Sequence, residues 1–157
     1  VLQGRYAHRS SNAKRADDAR EVDLAMAETD VTALQDRAFT QLSFGEQRRV
    51  LIARALATGA RTILLDEPTA ALDISHSLSL YALLRTLASQ GRCIVVVLHD
   101  LDDVRQYTDH AVLLKAGSVY AHGPSTEVLN AARVRDIYGV ELVPAGGLGF
   151  RLPSAGT

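Results

Sequence analysis

The stretch Thr62–Leu72, TILLDEPTAAL, constrains this chain more than any other. Thr62 to Leu65 is a short run of apolar and β-forming residues. Two carboxylates, Asp66 and Glu67, follow at once, and Pro68 ends the extended segment. A continuous apolar run predicts a strand buried on both faces of a parallel sheet. Ligands of open α/β sheets bind beyond the carboxyl ends of the strands, so such a strand carries both acids to the ligand edge. Taken alone, the run equally describes a strand closing on two solvated acids. A second apolar run, Cys93–Leu98 (CIVVVL), ends in His99. Between the two, Ile74, Leu78, Tyr81, Leu84 and Leu87 recur at helical spacing from Asp73 to Gln90, and Gly91 stands where a C-cap glycine belongs. Strand, helix, strand is a right-handed βαβ unit. It predicts parallel strands, with Asp66, Glu67 and His99 at one sheet edge. His76, within the helix, reads as an exposed or half-packed residue.

Upstream, LSFGEQRR (Leu42–Arg49) precedes the apolar run VLIARALA. Ser43 is expected to open a helix running to about Thr58, largely buried from Val50 onward. The N-terminus of that helix carries free N–H groups and the positive end of the macrodipole, an anion site in waiting. The plainer reading, Ser43 as an N-cap, is compatible with it. Arg48 and Arg49 read as solvated helix charges. Lys14–Thr29 has helical composition with no Gly or Pro, and Leu24 and Met26 are expected to pack. Asp30 is expected to cap a short turn containing Val31 and Leu34. After His99, Leu101–Tyr107 reads as a short helix. Ala111–Lys115 and Ser118–His122 read as a hairpin about Ala116-Gly117, with Gly117 left-handed. Two more helices, Thr126 to about Asn130 and Val134–Tyr138, precede a loose Gly/Pro/Ala-rich tail from Pro144, with room for a final strand.

Composition narrows the classes. The chain has 157 residues, 47% of them hydrophobic, enough for one domain with a core and against disorder. Lys and Arg number 17 against 18 Asp and Glu, so no basic face is offered to nucleic acid. Cys93 is the only cysteine, which excludes an internal disulfide and fits a reducing compartment. No apolar run approaches the roughly 20 residues of a membrane span, and Val1–Ser10 lacks a signal-peptide pattern. The sequence holds no G-x-x-x-x-G-K-[ST], and its only lysines are Lys14 and Lys115. A P-loop cradles phosphates with backbone N–H groups and a lysine, so the chain shows no primary nucleotide site of its own.

Four stretches, in this order, resemble the ATP-binding cassette (ABC) ATPases. Leu42-Ser43-Phe44-Gly45-Glu46 matches their signature motif, Ile63–Glu67 the Walker B strand, Ala71-Leu72-Asp73 the D-loop, and His99 the switch histidine. Gly4-Arg5-Tyr6-Ala7-His8-Arg9, and HDLDDVRQYTDHAVLLKAGSVYAHG followed by STEVL, are similar to the ATPases of iron-siderophore, haem and cobalamin importers. The resemblance implies an α/β, RecA-like P-loop NTPase fold, here a partial cassette with a parallel sheet core and a remnant of the helical subdomain. It divides the chain into 1–58 (helical subdomain and signature helix), 59–143 (half of the catalytic core) and 144–157 (loose tail). It places the P-loop and the Q-loop before Val1.

By the same resemblance, Asp66 holds Mg²⁺, Glu67 orients the attacking water and His99 meets the γ-phosphate of ATP. Ser43, Phe44, Gly45 and Glu46 complete the nucleotide site of the opposite cassette, and Asp73 couples the two sites. The implied partners are transmembrane permease subunits, a second cassette in a homodimer and, indirectly, a substrate-binding protein, with no nucleic acid. The implied location is the cytoplasmic face of the cell membrane. Phe44 departs from the usual L-S-G-G. Phe rarely takes positive φ, so either the position does not need it or the loop is strained. Two rival readings stand beside this one. A chromosome-maintenance or DNA-repair ATPase head would carry long heptads before the signature, and Lys14–Thr29 is too short for them. A non-catalytic fragment, or one half of a split domain, would account for the missing P-loop.

Overall fold

The computed structural model describes residues 1–4, 14–144 and 148–151. Two compact units emerge, Val1–Val97 and Leu98–Thr157, each taken by itself below.

The first unit contains α1 (Lys14–Glu28), α2 (Phe44–Leu56), β1 (Thr62–Asp66), α3 (Ile74–Ser89) and β2 (Cys93–Val97). β1 and β2 pair in parallel, from Thr62 opposite Cys93 to Asp66 opposite Val97, as the βαβ pattern predicts. One face of this pair meets the helices: Ile63 is buried and Leu65, Ile94 and Val96 are partly so, against Val22 of α1, Ile52 and Leu56 of α2, and Leu80, Leu84 and Leu87 of α3. Leu87 is fully buried, which contributes roughly 1.5–3 kcal/mol. The opposite face differs from the expectation of two-sided burial. Leu64 is 75% exposed, Val95 43% and Val97 51%. Successive side chains of a strand point to opposite sides, and only one side carries the helix layer.

The helix ends follow local chemistry. α3 closes with Gly91 at φ 88°, whose N–H donates to Ala88 O, while Arg92 N–H donates to Leu87 O. That is a Schellman motif. α1 closes the same way with Asp30 in the glycine's place, at φ 55°: Asp30 N–H donates to Ala27 O and Val31 N–H to Met26 O. Asp30 therefore ends α1 rather than capping the next turn. That turn, Thr32–Leu34, is preceded by Val31 and has no side-chain cap. Asp tolerates the left-handed region better than most residues, and Val31, fully buried, supplies the apolar contact that accompanies the motif. Met26 packs on the core as expected, whereas Leu24 is 48% exposed. α2 buries Ile52, Ala53 and Leu56 but leaves Leu51 outward.

The second unit contains α4 (Leu101–Tyr107), β3 (His110–Lys115), β4 (Ser118–Pro124), α5 (Ser125–Val128), α6 (Ala131–Tyr138), β5 (Glu141–Pro144) and β6 (Leu148–Arg151). β3 and β4 form the expected antiparallel hairpin, slightly longer than the sequence suggests. Both turn residues are left-handed, Ala116 at φ 50° and Gly117 at φ 77°, the requirement of a type I′ turn. Leu101, Ala111, Leu113, Val128, Leu129 and Val134 form this unit's core. Ser125, buried, ties α5 to the start of the hairpin by donating its hydroxyl to Thr108 O at 2.6 Å. α6 starts three residues before the expected Val134, because Asn130 caps it by accepting from Arg133 N–H. β6 pairs with β5 and is the final strand that the tail left room for. The remainder of the expected tail, and most of the Gly4–Arg9 segment, lie outside the described residues.

Candidate functional site

The signature-like segment is built around the start of α2. Ser43 is its N-cap in extended conformation, φ −63° and ψ 160°. Its Oγ accepts from Glu46 N–H at 3.3 Å, and its own N–H donates to Glu46 Oε2 at 2.7 Å. This reciprocal capping box satisfies two otherwise orphaned donors. Glu46 is held below the usual carboxylate range, first by the Ser43 N–H, then by the Ser43 hydroxyl, with Arg37 and Arg49 adding to it. The Gln47 amide donates to Phe39 O at 3.2 Å and Leu42 O at 3.0 Å, fastening the approach loop to the helix. Arg49, read as a solvated charge, lies 3.4 Å from Asp30 in an exposed pair.

Phe44 occupies the first helical position, and no positive φ occurs there. Its departure from glycine therefore strains nothing. The ring stands 72% exposed. Gly45 is buried and is not left-handed either. It is small for reasons of space: a Cβ would stand 2.6 Å from His76 Cδ2.

Asp73 caps α3 as Ser43 caps α2. Its Oδ1 accepts from His76 N–H at 2.8 Å and from the Ser75 hydroxyl at 2.9 Å, and its Oδ2 lies 2.8 Å from His76 Nδ1. These donors, the His76 backbone N–H foremost, hold the Asp73 carboxyl at about 2.

Asp66 ends β1 with an exposed side chain, and Glu67 follows, half-buried. Glu67 has φ 44°, a conformation that costs roughly 1–2 kcal/mol in a non-glycine residue. It is held there from both sides. Its N–H donates to Val97 O at 3.1 Å, carrying the parallel ladder one residue past β1, and its carbonyl accepts from Ala70 N–H at 3.1 Å. His99 belongs to the second unit, exposed in the bend before α4, whose N-cap is Asp100.

The structure thus brings Gly45 and Asp73 together through His76. It seats Asp66 and Glu67 side by side at the carboxyl end of β1. Sequence reasoning missed Gln47 and His76 as supports of the site. The D-x-x-H spacing after Ala71-Leu72 was the available signal for His76, since a residue three past an N-cap faces back toward it.

No group of three or more His, Cys, Asp or Glu able to hold a metal occurs among the described residues. Mg²⁺ does not need one. It keeps several waters and takes one or two carboxylates together with substrate phosphates, a donor set that the exposed Asp66 carboxylate fits.

Comparison with known proteins gives a consistent result. A family model described as "ABC transporter" matches residues 2–70. The chain is 48% identical over 126 residues to the hemin import ATP-binding protein HmuV of Thermobifida fusca, covering 80% of this chain and 44% of that protein. It is 42% identical over 136 residues to the cobalamin import ATP-binding protein BtuD of Halobacterium salinarum, covering 86% of this chain and 34% of that protein. Among solved structures, a metal-chelate type ABC transporter in an inward-facing conformation superposes with a TM-score of 0.84 at 27% identity, over 96% of this chain and 64% of that one. The chain spans about half or less of the length of these curated relatives.

Proposed function

We propose, from the premise that the chain carries part of an ABC-type ATP-binding cassette, that it is the portion of an importer's ATPase that supplies the catalytic carboxylate and the signature helix. The cargo class is an iron chelate, haem or cobalamin, which rests on the similarity to relatives named for hemin and cobalamin import. The observation that carries the reading is the end of β1, where Asp66 closes a parallel strand and Glu67 follows it in a left-handed conformation fixed by two backbone hydrogen bonds. Backbone strain of this kind persists where the surroundings over-determine it, and it is common at functional sites.

In this reading ATP is the substrate and is hydrolysed between two cassettes. Phosphoryl transfer depends on positioning and charge neutralisation more than on covalent help. Glu67 accepts a hydrogen bond from the attacking water and orients it. Asp66 would hold Mg²⁺, which when bound offsets charge on the phosphates. His99 hydrogen-bonds the γ-phosphate. Ser43 and Gly45, at the positive end of α2, donate to the phosphate of the opposite cassette, flanked by Phe44 and Glu46. Asp73 couples the two sites. The partners are a second cassette, permease subunits and, through them, a substrate-binding protein. No described helix is long and apolar enough to cross a membrane, which suits a peripheral place on the cytoplasmic face. With no P-loop motif in the sequence, the chain by itself is inactive.

The test is Glu67→Gln in the full-length protein that carries this chain. Gln keeps the shape and an acceptor but loses the charge. ATP binding is expected to survive while turnover is lost, and unchanged turnover places the catalytic carboxylate elsewhere.

A further inference from the structure

One side chain joins the N-termini of α2 and α3. The His76 Nδ1 lies 2.8 Å from Asp73 Oδ2, while the ring's Cδ2 edge fills the space that a side chain at residue 45 would need. Asp73 also accepts the His76 backbone N–H, so the same residue is held to the cap by main chain and ring together. The ring is fixed in direction although the side chain is 47% exposed. On its own element the ring's polar partner is Asp73, which also accepts from the Ser75 hydroxyl. From α2 it meets Gly45, while Glu46 is turned onto Ser43 N–H and lies 3.7 Å from Arg37.

We propose that His76 is a positioning residue: a strut that sets the first turn of α2, with Ser43 and Gly45, against the Asp73 cap. A displacement of the Asp73 loop is then carried to the signature turn through the ring, and the reverse holds equally, because the ring is hydrogen-bonded to Asp73 on one side and fills the space over Gly45 on the other. Gly45 is glycine to admit the ring. The consequence for turnover rests on the reading given under Proposed function. The strut itself does not.

Two variants test it in the full-length protein. His76→Ala removes both contacts, whereas His76→Asn keeps an N–H donor near the Nδ1 position. Without nucleotide, amide hydrogen exchange at Glu46 and Gln47 is expected to speed up about tenfold in His76→Ala, the order of one lost hydrogen bond to a charged group, and to be largely restored in His76→Asn. With ATP, His76→Ala is expected to lower kcat roughly tenfold at unchanged KM, the mark of an interaction that matters in the transition state, again with recovery in Asn. Unchanged exchange at Glu46 and Gln47 in His76→Ala overturns the strut. So does faster exchange spread evenly over α2 and α3 with a lowered melting temperature, the mark of general loosening. Should the wild-type protein not hydrolyse ATP at all, the functional reading fails and the exchange measurement alone decides the strut.

Discussion

Ser43 caps a helix with the same hydroxyl that the proposed function assigns to a ligand. Its oxygen caps α2 by accepting from Glu46 N–H, and its hydroxyl also helps hold the Glu46 carboxylate ionised. Donating to a phosphate oxygen requires only that the hydroxyl turn from one anion to another while the cap stays in place. Ser43→Ala is therefore expected to act twice. Loss of the cap lowers stability by about 1 kcal/mol. Loss of a hydrogen bond to a charged group, about 1.5–3 kcal/mol, slows turnover by roughly ten- to a hundred-fold. Melting temperature, ATP affinity and turnover measured on the full-length variant separate the two effects. Normal turnover with a lowered melting temperature leaves Ser43 as a cap alone. At this scale the sequence was informative where chemistry is local. The spacing S-x-x-E foretells the capping box, but nothing in the pattern tells that Phe44 avoids positive φ or that Gly45 is small for the sake of His76.

At the scale of the element, α3 depends on one acid. Asp73 caps it through three donors and is held at about 2 against an ordinary value of 3.8. A depressed folded-state value means that this stabilisation is fully present above 3.8 and is lost as pH falls through about 2. Asp73→Asn keeps a side-chain oxygen for His76 N–H but removes the charge. It is expected to lose less stability than the wild-type protein as pH falls across that window, the slope that remains coming from other depressed carboxyls such as Glu46. Parallel acid slopes in thermal melts of the two proteins would assign the titration to other groups. Element boundaries were largely legible because caps are written in short stretches: Asp73 and Gly91 bracket α3, and Pro68 follows the end of β1. Asp30 misled because Asp favours both an N-cap and a left-handed C-terminal position. The competition was settled by the burial of Val31, a tertiary fact.

For the whole molecule, the exposed side of the β1–β2 pair is the notable surface. Leu64, Val95 and Val97 present apolar side chains to solvent on a short parallel sheet, a feature that promotes association. The isolated chain is accordingly expected to self-associate and to show no ATP turnover. Leu64→Lys is expected to suppress the association while changing stability by no more than about 0.5 kcal/mol, since the residue is 75% exposed. Light scattering against concentration checks this, and undiminished scattering by the variant would locate the sticky surface elsewhere.

The sequence by itself determined the βαβ unit, the parallel pairing, the capped start of α2, the extent of α3, the hairpin turn and the kinship of the chain. Each of these is encoded within a few adjacent residues or in a simple period. Only the tertiary structure decided which face of β1 is covered, because Ile63, Leu64 and Leu65 at its centre are all apolar and show no alternation. Only it decided that Glu67 takes a left-handed backbone, which depends on an acceptor thirty residues away, at Val97. It alone joined Gly45 to Asp73 through His76. Contacts between helix ends separated in sequence leave no periodic trace, because they arise from how the helices pack.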